Sequence, residues 1–197
     1  EKRERILDLV LAPTSHDDGK LTTLAEYKER MPEDQDAIYF ITGPKLDVLR
    51  RSPHLEAFKE KGIEVLFLTD PVDEVWLGQG GIDFKELPFK SIGHGEVELG
   101  TDEDKEKAKE ALEKETESLS DLIAAMRSAI EDEVKEVRLS SRLKDSASCL
   151  VLEDGELSPQ LEAMLRQAGQ EVPERKPILE LKPGHAVVKR LEKRFEA

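Results

Sequence analysis

Residues 51–75, RSPHLEAFKEKGIEVLFLTDPVDEV, contain the local signals that decide the fold. Ser52 can cap a helix, and Pro53 loses no hydrogen bond at the first helical position. Gly62 stands where a left-handed residue is expected to end that helix. The apolar run at residues 63–68 is typical of a parallel strand that is covered on both faces. The stretch therefore predicts a helix followed by a buried strand, which is half of an α/β unit.

A second apolar run precedes this stretch and completes the unit. Residues 37–42, AIYFIT, read as a buried strand that Gly43 and Pro44 terminate. Two strands joined by a mostly helical connection form a βαβ crossover, which should be parallel and right-handed. Thr23 and Glu26 have the spacing of a capping box, and residues 84–89 are expected to add an edge strand. We predict an α/β domain with a small parallel sheet and flanking helices at residues 1–95.

The composition changes between residues 93 and 117, where acids outnumber bases and large apolar residues become rare. We place the joint between domains at residues 93–102 and predict one long helix from about residue 102 to residue 129, because apolar positions recur there at spacings of three and four. The remaining elements follow the order strand, strand, helix, strand, helix. The predicted second domain, residues 96–197, is therefore a small α+β domain.

Charge and cysteine content exclude several classes of function. The 197 residues include 30 Lys and Arg against 44 Asp and Glu, a net charge of −14, which argues against binding to nucleic acid or to anionic membranes. No apolar stretch approaches the roughly 18 residues that would span a bilayer. The single cysteine, Cys149, excludes an internal disulfide and predicts a reducing, cytoplasmic environment.

Catalytic signatures are scarce, and we predict no catalytic residue, cofactor site or metal site. The four histidines are far apart in the sequence, and none has the spacing of a metal-binding pair. Asp70, Asp73 and Glu74 could serve acid–base chemistry or bind a cation. The simpler interpretation is that they cap the helix that begins at Pro71, whose N-terminus favours negative charge.

Apolar side chains are the remaining candidates for function. A stripe of four recurs at helical spacing after Ser158: Leu157, Leu161, Met164 and Leu165. Such a stripe either covers the local sheet or forms an exposed adhesive face for varied partners. Trp76, the only tryptophan, is similarly open to two interpretations, since tryptophan is common both in cores and at binding hot spots.

The sequences of several segments resemble those of the ninety-kilodalton heat-shock chaperone family, in particular its bacterial HtpG branch. The segments SPHLE (52–56), KGIEVL (61–66) and DPVDE (70–74) carry the likeness to the family's middle domain. Residues 134–143 and 146–160 resemble the start of the C-terminal domain, and residues 168–190 resemble its last strand. The likeness covers nearly the whole chain and is weakest at residues 76–117.

The resemblance implies a dimeric, ATP-driven chaperone that binds and remodels partly folded client proteins. The chain would be a fragment that contains the end of the middle domain and a C-terminal domain without its final dimerisation helices. The nucleotide-binding domain, which would hold ATP and Mg²⁺, lies outside this sequence. We therefore expect no cofactor in this chain, no enzymatic activity, and a weak or absent dimer.

The resemblance also assigns a role to the apolar residues. It implies that Trp76 and the stripe of Leu157, Leu161, Met164 and Leu165 contact client proteins by non-polar adhesion, weak at each site and summed over a large surface. The alternative is a purely structural module that couples the domains and supports the dimer, with clients bound elsewhere.

Overall fold

The computed structural model describes residues 2–77, 82–96, 98–173 and 175–195, and its packing divides the chain into two compact units. The first unit comprises Glu1–Gly93 together with Gly155–Val172, and the second comprises His94–Asp154 together with Pro173–Ala197. The predicted division at residue 95 stays a prediction. Residues 155–172 group with the first unit, although they follow part of the second in sequence.

The described residues form a mixture of helices and strands. In chain order they are α1 (Lys2–Leu7), β1 (Leu11–Pro13), β2 (Leu21–Thr23), α2 (Leu24–Arg30), β3 (Ile38–Thr42), α3 (Leu46–Arg50), a 3-10 turn (Pro53–Leu55), α4 (Glu56–Glu60), β4 (Leu66–Leu68), α5 (Pro71–Leu77), β5 (Asp83–Phe84), β6 (Leu87–Ser91), α6 (Asp102–Ser118), α7 (Ser120–Ala129), β7 (Glu136–Leu139), β8 (Ser148–Val151), α8 (Pro159–Gln167), β9 (Ile178–Leu181) and α9 (Ala186–Phe195).

The main sheet of the first unit has the strand order β4-β3-β6-β5. Strand β3 pairs in parallel with β4, with Phe40 opposite Leu66, so the predicted βαβ crossover is confirmed. The prediction of one edge strand at residues 84–89 is wrong, because these residues form a hairpin: β5 lies at the edge, and β6 pairs in parallel with β3 inside the sheet. The turn between β5 and β6 places Lys85 and Glu86 at positive φ, which closes a tight antiparallel hairpin.

Local capping signals mark the helix boundaries as predicted. The Thr23 side chain accepts from the Glu26 amide, and the Glu26 carboxylate accepts from the Thr23 amide, which completes the capping box of α2. Ser52 caps the 3-10 turn that leads into α4. Gly62 ends that helical segment at φ +66, a conformation that only glycine adopts without strain. These contacts direct each helix back onto the sheet.

The core of the first unit forms where α2 and the sheet meet. Its fully or nearly fully buried members are Leu7, Ala12, Leu24, Tyr27, Ile38, Phe40, Leu66, Leu68 and Phe84. The phenol of Tyr27 donates to the carbonyl of Glu64 (2.6 Å) and accepts from the amide of Tyr39 (3.1 Å). Burial raises the pKa of Tyr27 to about 12. Tyr27 therefore connects α2 to β3 and to the segment that enters β4.

The second unit contains a three-stranded sheet of order β7-β9-β8, with β9 parallel to β7 and antiparallel to β8. Leu119, which precedes α7, Leu122 of α7 and Val188 of α9 cover this sheet and pack in one core with Val137 and Leu181 of the strands. A small sheet of mixed direction with flanking helices is an α+β arrangement. The predicted fold class, an α/β domain followed by a small α+β domain, is confirmed.

The prediction of one long helix at residues 102–129 is wrong, because the helix breaks at Leu119. This residue has φ −105 and ψ 11, outside helical geometry, and it separates α6 from α7. Leu119 and Leu122 both enter the core, whereas α6, which the structure describes in full, has no buried residue. Apolar spacing stays regular across the break, so the pattern of residues does not register it.

Candidate functional site

Trp76 lies in the last turn of α5, half-buried at the margin of the first core. Its indole ring meets the ring of Phe89 edge-on, with 5.4 Å between the ring centroids. Its indole N–H donates to Oδ1 of Asp73 (3.0 Å), while Oδ2 of Asp73 accepts from the amide of Asp70 (3.1 Å). Asp73 thus closes the start of α5, as the simpler interpretation of these acids predicts, and also orients the indole.

The stripe after Ser158 lies on α8. The Ser158 side chain accepts from the amide of Leu161 (3.1 Å), and Pro159 occupies the first helical position. Leu157, Leu161 and Leu165 are half-buried, and Met164 is 38% exposed. Throughout α8, which the structure describes in full, no residue is buried. The stripe is therefore neither core nor fully exposed.

Helix α8 packs against α5, the helix that carries Trp76. Both helices belong to the first unit, so the structure brings the predicted contact residues together on one compact body. The sequence predictions treated them as parts of two separate domains. Whether Trp76, Leu157, Leu161, Met164 and Leu165 contact client proteins stays a prediction.

Two further exposed apolar side chains lie on α5 near Trp76 in sequence, and the sequence predictions did not include them. Val72 and Val75 of α5 are 63% and 42% exposed. They stand three positions apart on the helix, so they share one face beside the half-buried Trp76. That spacing is the signal that could have identified them. We use the name α5–α8 surface for Val72, Val75 and Trp76 together with Leu157, Leu161, Met164 and Leu165.

Acidic groups lie beside this apolar surface. Glu74 is the one buried residue of α5, and its Oε1 atom has no hydrogen-bond partner among the described residues. On α8, Glu162 pairs with Arg166 at 3.8 Å, an ordinary surface contact one turn apart. Among the residues that the structure describes, no group of three His, Cys, Asp or Glu side chains is arranged to hold a metal ion.

Comparison with known proteins identifies the family. The model of the Hsp90 protein family matches residues 1–197, so the chain belongs to the Hsp90 family of heat-shock chaperones. It is 47% identical over 197 residues to the chaperone protein HtpG of Nocardia farcinica, covering 100% of this chain and 30% of that protein. It is also 47% identical over 190 residues to HtpG of Acinetobacter baylyi, covering 96% of this chain and 29% of that protein.

A further HtpG, from Mycobacterium leprae, is 44% identical over 197 residues and is covered to 30% of its length. The chain thus spans about 30% of the length of the curated relatives that it matches. The family resemblance inferred from the segments at residues 52–74 is confirmed. In the part of the chain that the structure describes, no helix is both long and apolar enough to cross a membrane.

Proposed function

We propose that this chain supplies client-contact surface to an ATP-dependent molecular chaperone that binds and remodels partly folded proteins. The observation that carries the proposal is the incomplete burial of the α5–α8 surface. Met164, Val72 and Val75 present apolar atoms to solvent, and Trp76 and Leu161 are only half-covered. Apolar atoms release water when an exposed client segment covers them, and this release stabilises binding without a fixed pocket.

The chemistry of these residues suits a variable partner. Methionine and leucine adapt their shapes to different surfaces, and tryptophan contributes a large area at small entropic cost. Contacts of this kind are individually weak, and several sites acting together raise the overall affinity. In this proposal nucleotide binding and hydrolysis belong to regions of the relatives outside the matched span. The chain acts in the cytoplasm, and by itself dimerises weakly or not at all.

A paired-variant experiment tests the proposal. The variant Leu161→Ser, Met164→Ser removes apolar contact from α8, and Leu150→Ser makes a similar change at an exposed leucine of β8 in the second unit. Anisotropy of a fluorescein-labelled, permanently unfolded polypeptide reports its affinity for each variant. We expect at least a tenfold weaker affinity for the α8 variant and an unchanged affinity for Leu150→Ser.

Circular dichroism of both variants controls for loss of fold. Equal affinities of the folded wild type and the folded α8 variant would reject the client-contact proposal. Emission from Trp76 provides a second readout, because it is the only tryptophan. Contact at the α5–α8 surface should shift that emission to shorter wavelength.

A second candidate function is structural coupling between domains, with clients bound elsewhere. The path of the chain favours it: the polypeptide passes between the two compact units three times, after Gly93, after Asp154 and after Val172. Several crossings transmit a displacement more directly than one flexible linker. Unchanged client affinity in the α8 variant would leave this candidate as the preferred function.

A further inference from the structure

Gly95 is the second residue of the second unit, and both its backbone amide and its backbone carbonyl are hydrogen-bonded. Its amide donates to the carbonyl of Leu152 (2.8 Å), and the preceding residue, His94, forms a parallel bridge with Leu152. Its carbonyl accepts from Nη2 of Arg138 (3.3 Å) and from Nη2 of Arg142. Two guanidinium groups thus converge on one backbone carbonyl.

A buried carboxylate orients both arginines. Oε1 of Glu180 accepts from Nε and Nη2 of Arg138 at 3.1 and 2.8 Å. Oε2 accepts from the Ser140 hydroxyl at 2.6 Å and pairs with Nε of Arg142 at 2.9 Å. Arg142 and Glu180 are 1% and 3% exposed, so their charges are removed from water. Such burial is tolerated only where hydrogen bonds satisfy the charged groups, as they do here.

Gly95 also lies against a second crossing of the chain. It has φ +56, and a Cβ atom at this position would clash with the Asp154 carboxylate. Asp154 is the last residue of the second unit before the chain returns to the first at Gly155. The segments 94–95 and 152–154 therefore run side by side, and each ends at a unit boundary.

We propose that Arg138, Arg142 and Glu180 form a clamp that fastens the first two chain crossings to the sheet of the second unit, so that they act as one pivot. At these two crossings, bending is then confined to the backbone before His94 and after Asp154, while the third crossing, after Val172, lies outside the clamp. This inference goes beyond the proposed function and holds whether or not the α5–α8 surface binds clients. The three clamp residues are positioning residues, because they act through the backbone of Gly95.

Replacing each arginine with lysine separates its charge from its geometry. Lysine keeps the positive charge, but a single ammonium group cannot bridge Glu180 and the Gly95 carbonyl as the guanidinium does. We expect amide hydrogen exchange at Gly95 to accelerate at least tenfold in Arg138→Lys and in Arg142→Lys, relative to the amides of β9. Ser140→Ala is the matched control, since it removes the hydrogen bonds of the hydroxyl with Glu180 and with the Arg142 amide (3.3 Å) but keeps both guanidinium contacts to the Gly95 carbonyl.

Residual dipolar couplings supply a readout that a loss of local stability alone would not change. In both lysine variants the two units should align less similarly than in the wild-type chain, whereas Ser140→Ala should match the wild type. Unchanged Gly95 exchange together with unchanged alignment in a folded lysine variant would overturn the proposal. Arg138, whose side chain is 20% exposed, carries the test alone if the more deeply buried Arg142→Lys does not fold.

Discussion

Tyr27→Phe is the sharpest test of how the first unit is held together. The substitution deletes one oxygen atom from a side chain with 0% exposure and keeps the ring in place. That oxygen donates to the Glu64 carbonyl and accepts from the Tyr39 amide and from Nε2 of Gln35 (3.0 Å). The variant therefore removes the hydrogen bonds by which α2 holds β3 and the entrance to β4.

The expected loss follows from the groups that remain. The Tyr39 amide and the Glu64 carbonyl lose this partner inside the core, and an unsatisfied buried group costs about 1–3 kcal/mol. Gln35 keeps its hydrogen bond to the Ala37 carbonyl (2.7 Å) and contributes little to the loss. The free energy of unfolding of the first unit should therefore fall by about 2–5 kcal/mol.

Urea denaturation followed by Trp76 fluorescence measures this loss in the first unit, because the only tryptophan lies there. A decrease of this size should lower the urea midpoint by about 1 M or more, given the usual slopes for domains of this size. Tyr39→Phe is the matched control, since its hydroxyl makes a 3.4 Å contact with Asp36, longer than a normal O–H···O bond. Equal midpoints for the two variants would refute the hydrogen-bonding role assigned to Tyr27.

Three further outcomes follow from particular residues. The pKa of Tyr27 is raised from 10.0 to about 12, so its contribution to stability is present below pH 10 and is lost as the pH rises to 12. The free energy of unfolding, measured by urea titration, should therefore decline less between pH 10 and pH 12 in Tyr27→Phe than in the wild type. Thr23→Ala removes the cap that faces Glu26 and should cost about 1 kcal/mol by thermal unfolding, whereas Thr116→Ala on the exposed face of α6 should not be destabilising. Gly62→Ala meets no atom within 4 Å but requires φ +66, so a loss of about 1–2 kcal/mol is expected, and a gain in stability would contradict the strain argument.

Local signals predicted much of this fold because they act within a few residues. The capping box of Thr23 and Glu26 and the glycine stop at Gly62 are short-range features, and the structure has both. The apolar runs gave β3 and β4 and their parallel pairing. Strand order required more, since β6 lies next to β3 only because of pairing between distant segments. No signal in the sequence of a single strand distinguishes an edge strand from a strand inside the sheet.

Glu180 shows where the sequence contained a signal that was not used. It lies in β9, the central strand of the second sheet, directly opposite Arg138 of β7. The sequence PILEL reads as an ordinary strand, in which an acidic residue would face solvent. A buried carboxylate needs partners, and Arg138 and Arg142, four residues apart, are the only arginines between residues 128 and 165. Pairing the strands first would have predicted the clamp.

The location of α8 could not be derived from the sequence in the same way. The stripe of Leu161, Met164 and Leu165 specifies a face that seeks apolar contact but not which sheet or helix provides it. The structure groups α8 with α5 in the first unit and leaves the contact incomplete. Adhesive binding requires an apolar face that is only partly buried, because full burial would leave no area for a client and full exposure would promote self-association. The net charge of −14 opposes that self-association, so an apolar surface of this kind can persist on the folded chain.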